Sequence, residues 1–303
     1  MTTGASSPSV KRVLVAVDLD AVSHEALHLA DRVARGLDAA LGVVNVLPPG
    51  LPEHAVTPHR ASTEHEEHAE ETTRKERVAG YVARETSRGP SQVEVFADRG
   101  NADEAILERA ARFGADLVVV GTHGRHGLDR LIEGSVAELV VRRASIPVLV
   151  ARPSPEGGKV IAACDLAATT PAVLRWAGLM SGHLGEGVMA VHTVELSMSD
   201  VAVVATAIFS GTVPVQPDSE AADSLRTAAT GALGAEISAA EIVATPEVLT
   251  GPAASVLCER ARDVGASLLV VGTHGRKGIA RVALGSVAET LVRNAPSSVL
   301  VVR

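Results

Sequence analysis

The residues in this chain best suited to chemistry are two short glycine-bounded runs. The first reads Gly121-Thr122-His123-Gly124, then nine residues, then Gly134-Ser135; the second reads Gly272-Thr273-His274-Gly275, nine residues, then Gly285-Ser286. Each begins where an apolar, strand-like run ends. Glycines directly after a buried strand let the backbone turn sharply and bring its N–H groups close to an anion with no Cβ in the way. Ser135 and Ser286 then open helical stretches, where a hydroxyl, free N–H groups and the positive end of the dipole all favour phosphate. The pattern is not the GxxxxGK[ST] of the common NTPases. No GxGxxG follows the first strand either, which disfavours hydride transfer. Glycines that merely turn the chain would not need a serine at each helix start.

The elements that must hold these runs form an internal repeat. The segment from Gly114 to Arg152 returns without a gap from Gly265 to Arg303, with more than half its positions identical. The openings agree more loosely, KRVLVAVDLD from Lys11 against KVIAACDLAA from Lys159, each an apolar strand running into an aspartate, Asp18 or Asp165. In copy one, Val13 to Val17, Ala40 to Val46, Val93 to Phe96, Leu117 to Val120 and Val148 to Val150 read as strands. Ser23 to Arg35, Ser62 to Arg88, Ala102 to Phe113 and Ser135 to Arg143 read as helices. That rhythm implies a parallel sheet with right-handed crossovers. Copy two repeats it, with less regular patterning between Glu195 and Ser219. The expected architecture is α/β: two tandem doubly wound parallel-sheet domains, residues 1–152 and 159–303, joined by the turn-rich linker 153–158 and packed as a pseudo-dimer. In such sheets ligands bind beyond the carboxyl ends of the strands, where Asp18, Asp165 and both glycine runs fall.

Composition limits the partners. With 46% hydrophobic but only 2% aromatic residues, the cores must be built from Val, Leu, Ile and Ala, as in buried parallel strands. A net charge of -8 leaves no basic field for a nucleic acid, so no nucleic-acid partner is expected. No apolar run approaches the roughly 20 residues of a membrane helix, and Met1 to Val10 lacks a signal-like apolar core. No membrane partner and a cytoplasmic location are therefore expected. Cys164 and Cys258 show no metal or disulfide spacing and read as buried small residues.

At the glycine runs the chain resembles the universal stress protein family, specifically its ATP-binding branch, marked by G-x-x-G, nine residues, then G-[ST]. The resemblance covers nearly the whole chain as a tandem pair. It implies an ATP, alone or with Mg²⁺, lying across the strand ends, and a protein that acts as a nucleotide-responsive stress regulator. Carried over by position, Asp18 and Asp165 reach the adenosine, and the backbone around Val46 and Thr193 lines the adenine slot. Gly121, Gly124, Gly134, Ser135 and Val136 hold ribose and phosphates in copy one; Gly272, Gly275, Gly285, Ser286 and Val287 do so in copy two. The resemblance further implies that the last strands, Pro147 to Ala151 and Ser298 to Val302, pair between the domains; a homodimer is compatible with it. Copy two departs from copy one in having Thr170 for Ser23 and Ser267 for Asp116.

Other constellations read more plainly. Asp18 and Asp165 also suit capping of the following helix. No general base with a partnered nucleophile is legible, so no catalytic residue is assigned; slow ATP hydrolysis, autophosphorylation and a nucleotide-free scaffold stand as alternatives. His123 and His274 sit within the turns and suit orienting the loop or packing better than proton transfer. His65 and His68 share a helical face, but a solvated acidic helix explains EHEEHAEE and no third ligand is evident, so no metal site is assigned. The apolar stretch Val201 to Phe209 reads as core or as a partner surface.

Overall fold

A computed structural model describes residues 8–19, 23–49, 64–122, 136–194, 219–273 and 284–303. Copy one runs β1 (Arg12–Ala16), α1 (Ser23–Gly36), β2 (Ala40–Leu47), α2 (Glu64–Glu85), β3 (Val93–Arg99), α3 (Ala102–Phe113), β4 (Leu117–Gly121), α4 (Val136–Arg143) and β5 (Val148–Ala151). Copy two runs β6 (Val160–Cys164), α5 (Thr170–Leu184), β7 (Val188–Val194), α6 (Ser219–Ala239), β8 (Ala244–Thr250), α7 (Ala253–Asp263), β9 (Leu268–Gly272), α8 (Ser286–Asn294) and β10 (Ser298–Val302). All the described strands join one ten-stranded sheet in the order β3-β2-β1-β4-β5-β10-β9-β6-β7-β8.

The apolar strand runs are explained by burial on both faces. In β1, Val13 and Val15 face a core layer with α1, α2, α5 and α6, while Leu14 faces the other with α3, α4, α7 and α8. Both layers pass through both copies. A strand covered on two sides has no polar face to alternate with, so it reads as a continuous apolar run.

Among the described strands, those within each copy are parallel, and only the seam between β5 and β10 is antiparallel. There Leu149 lies opposite Leu300, its own counterpart in the repeat, so the pseudo-two-fold axis passes through this pair. Contacts around the axis come in reciprocal pairs. Arg293 forks onto Glu138 with two bonds of 2.9 Å, and the equivalent Arg142 reaches Glu289 at 3.4 Å. The last arginine of each copy crosses to the other's final helix: Arg152 donates to the Val292 carbonyl and Arg303 to that of Val141. Cationic side chains at helix C-termini satisfy carbonyls left without intrahelical donors. The pairing of final strands gives a terminal edge its partner.

Among the described residues, two boundaries differ from the sequence reading by more than one residue. α2 ends at Glu85 rather than Arg88, because Pro90 disfavours helix before it and Arg88 turns to pair with Asp31. β3 continues to Arg99, three residues past Phe96, because its pairing with β2 persists to Leu47 opposite Arg99. The side chains of His65 and His68 and the stretch Val201 to Phe209 lie outside the described residues.

Candidate functional site

In each half the strand order reverses between its first and fourth strands, β1 beside β4 and β6 beside β9. The crevice beyond their carboxyl ends is where open α/β sheets take ligands. The same device holds the aspartate there in both copies. In copy one, Val17 donates its N–H to the Val44 carbonyl at 2.9 Å and accepts at its own carbonyl from Asn45 Nδ2 at 2.8 Å. Asp18 follows, half-buried, its N–H donating to Ser23 Oγ at 2.8 Å while that hydroxyl donates back to its carboxylate. In copy two, His192 replaces Asn45 and bonds the Cys164 carbonyl at 2.7 Å. A carbonyl can only accept, so this bond places the proton on His192 Nδ1. Asp165 Oδ1 accepts from Ala167 N–H at 3.1 Å and from Thr170 Oγ1 at 3.0 Å.

The residue after each aspartate is a leucine in left-handed backbone, Leu19 at φ 66° and Leu166 at φ 56°. Such a conformation costs a non-glycine residue about 1–3 kcal/mol and persists only where the surroundings over-determine it. Here both leucine side chains pack against the core, and the aspartate is tied to the first residue of the next helix. Asp18 and Asp165 therefore serve the helix start, as their sequence context allows, and keep half-buried carboxylates at the strand ends. Asn45, His192 and the two leucines were not singled out from sequence, although the Asp-Leu pair recurs in both copies.

The glycine side is best seen in copy two. Gly272 ends β9 opposite Val302, and a Cβ there would stand 2.9 Å from Thr169 Oγ1, so only glycine allows this approach of strand to helix start. Thr273 is buried; its N–H donates to the Val302 carbonyl at 3.0 Å and its own carbonyl accepts from Gly285 N–H at 2.8 Å. That last bond closes the glycine run at its base. Gly285 then occupies the cap position of α8 and offers no side-chain cap. Ser286, read as opening the helix, is its first residue and exposed, with Val287 half-buried behind it. A helix start without a side-chain cap leaves its first N–H groups for another acceptor. Glu289, in the same turn, is paired with Arg142 and Arg293.

Copy one places Gly121 at the end of β4 opposite Ala151, and Val136 at the start of α4, exposed at 42%. Val46 and Thr193 are half-buried on β2 and β7, opposite Asp98 and Leu249. Gly124, Gly134, Ser135 and Gly275 lie outside the described residues, as do His123 and His274. The substitution of Asp116 by Ser267 reverses a hydrogen bond but keeps the tether. Asp116 accepts from the Lys11 and Arg12 N–H groups at 2.7 and 3.0 Å, whereas Ser267 donates to the Gly158 carbonyl at 3.1 Å.

The pattern that defines the Universal stress protein family matches residues 9–152 and again 158–303. The chain belongs to the universal stress protein family. Relatives from Staphylococcus epidermidis and Staphylococcus aureus, both assigned to that family, are 34% identical over 145 and 143 residues. Those matches take 48% and 47% of this chain but 85% and 84% of the relatives, one copy against one whole relative. Among solved structures, a universal stress protein from Archaeoglobus fulgidus superposes with a TM-score of 0.61 at 17% identity, over 96% of each chain. A Pseudomonas aeruginosa protein assigned to the same family gives 0.58 at 16%, over 97% of this chain and 94% of its own. The tandem fold is thus shared at full length.

In this tandem universal stress protein both cysteines are free and buried. Burial pushes the Cys164 thiol up to about 12, and burial likewise raises Cys258. Neither has thiolate character near neutral pH. Among the described residues no helix is long and apolar enough to cross a membrane.

Proposed function

We propose that each half of the chain binds an adenine nucleotide, ATP, at its switch point, and that the protein acts as a nucleotide-responsive stress regulator. The observation that carries this reading is the repeated pairing of a held aspartate with a strand-ending glycine in both copies, joined in copy two to a helix start that lacks a side-chain cap. A half-buried carboxylate whose orientation is set by a neighbouring hydroxyl suits the donors of adenosine. The first N–H groups of α8 suit phosphate oxygens. In this reading Asp18 and Asp165 accept from the nucleoside, and Val46 and Thr193 flank the base. Gly121, Gly124, Gly134, Ser135 and Val136, with Gly272, Gly275, Gly285, Ser286 and Val287, present backbone and hydroxyl donors to ribose and phosphates. Mg²⁺, where present, would neutralise phosphate charge.

Denaturing the purified protein and chromatographing the released small molecules should yield an adenine nucleotide, and calorimetry on stripped protein should give two ATP per chain. Asp165→Asn keeps the shape of the turn while weakening a charged acceptor, so it should cost one site about 1.5–3 kcal/mol, roughly ten- to a hundredfold in affinity. A stripped protein that takes up no adenine nucleotide would end the proposal.

A further inference from the structure

Helix α1 opens Ser23-His24-Glu25-Ala26-Leu27-His28, an H-E-x-x-H pattern whose two histidines stand four residues apart and share one helical face. In the fold their rings lie 4.0 Å apart between centroids. Glu85, the last residue of α2, meets them: its Oε2 is 2.7 Å from His24 Nδ1. Ligand atoms from all three side chains fall within 4.8 Å of one another. His28 Nε2 is buried and has no hydrogen-bond partner among the described residues. Buried polar atoms are nearly always paired, so an orphaned imidazole nitrogen facing a second imidazole and a carboxylate calls for a ligand.

We propose that His24, His28 and Glu85 form a binding site for a divalent transition-metal ion of zinc's kind. Two imidazole nitrogens and one carboxylate oxygen are a known zinc donor set, with a fourth position open to water or another ligand. Imidazoles select such ions over Mg²⁺ and Ca²⁺, which prefer oxygen throughout. Metal–ligand bonds of roughly 2.0–2.2 Å require the donors to close in slightly from their present spacing. His24 can make that movement because its side chain is 47% exposed. The carboxylate of Glu85 offsets the positive end of the α1 dipole, which otherwise opposes a cation there. Binding needs no contribution from Glu25. Copy two has Pro171 and Arg175 at the matching positions, so the site belongs to copy one alone. It joins α1 to α2 beside Ser23, the residue that holds Asp18.

Full-length protein titrated with Co²⁺ should show the intense visible absorption of low-coordinate cobalt at one equivalent, and Zn²⁺ should displace it. His28→Gln and Glu85→Gln should each weaken that site at least about tenfold, with unchanged far-UV circular dichroism and metal-free melting temperature. On the wild-type chain, Zn²⁺ should also protect His24, the exposed histidine of the pair, from diethylpyrocarbonate, read by peptide mass. This second measurement does not depend on a variant that folds. Equal cobalt spectra in wild type and Glu85→Gln, or no protection of His24, would overturn the assignment.

Discussion

Truncating Leu149 tests whether the two copies unfold as one body. Leu149 is fully buried on β5, opposite Leu300 on β10, at the only antiparallel seam among the described strands. Removing such a side chain costs about 2–5 kcal/mol through lost transfer energy and the cavity left behind; about 3 kcal/mol is a working value. If the continuous sheet and the shared core layers make all 303 residues one cooperative unit, the unfolding entropy of about 2.1 cal/mol/K per residue converts that loss into a fall of about 5 °C. If copy one melts alone, half the entropy is involved and the fall is about 10 °C, confined to copy one. The chain's single tryptophan, Trp176, reports on α5 of copy two, across the seam from the substitution. In Leu149→Ala, melting followed by Trp176 fluorescence should therefore drop by about 5 °C and coincide with the far-UV signal. An unmoved Trp176 transition beside a shifted far-UV component would refute the single-body reasoning.

Replacing Glu138 by Gln should cost no more than about 1 kcal/mol, because Arg293 is substantially exposed, and urea titrations should show the loss shrinking as salt rises. Native protein at neutral pH should leave both thiols unreacted with a disulfide reagent that titrates them in denaturant. Because the folded Cys164 value of about 12 lies above its ordinary 9.0, its contribution to stability is complete below pH 9 and is lost as pH climbs towards 12, visible as a falling melting temperature. Copy two should bind the phosphates of ATP more tightly than copy one and with a steeper salt dependence. Its glycine run carries Arg276, Lys277 and Arg281 without an acid, whereas Arg125 and Arg130 are offset by Asp129 and Glu133. One charge at roughly 8 Å and an effective dielectric of about 40 is worth on the order of 1 kcal/mol per phosphate charge before screening. Equal salt dependence in Gly124→Val and Gly275→Val would reject that account.

The parts of this fold legible in sequence are those decided by neighbouring residues. The repeat, the apolar strand cores and the glycine at the end of β4 and β9 are local patterns, and each stands where its pattern placed it. The pairing of β5 with β10 followed from resemblance and from the need to cover an apolar terminal edge. What escaped depends on distant partners. Ala97, Asp98 and Arg99 do not read as strand, and they extend β3 because β2 supplies a ladder and Arg109 takes up the Asp98 carboxylate. Asn45 and His192 share no chemistry by name; only the fold shows both holding the carbonyl that precedes the aspartate. The H-E-x-x-H pattern was present throughout, but Glu85 lies on another helix and nothing in spacing connects it to His24.

The seam also explains why a single chain suits these two copies better than a pair of identical subunits. At the axis Leu149 faces its counterpart Leu300, and the two are interchangeable. Where α1 crosses α5, Gly36 faces its own counterpart, and that counterpart is His183. A Cβ on Gly36 would strike the His183 ring, so the glycine is the hollow and the histidine fills it. Two copies of the first half would set hollow against hollow, and two copies of the second would set ring against ring. Gly36 is exposed and His183 half-buried, so the first arrangement would leave a water-filled gap at this rim of the contact and the second a steric clash. The mixed pairing avoids both, and the short linker 153–158 holds the halves at high effective concentration without the entropy of association. With pairing secured in this way, the reciprocal arginine contacts can remain partly exposed and modest. The surroundings of the two strand-end sites are then free to differ, as Asp116 and Ser267, Asn45 and His192, and the unmatched His24 and His28 all do.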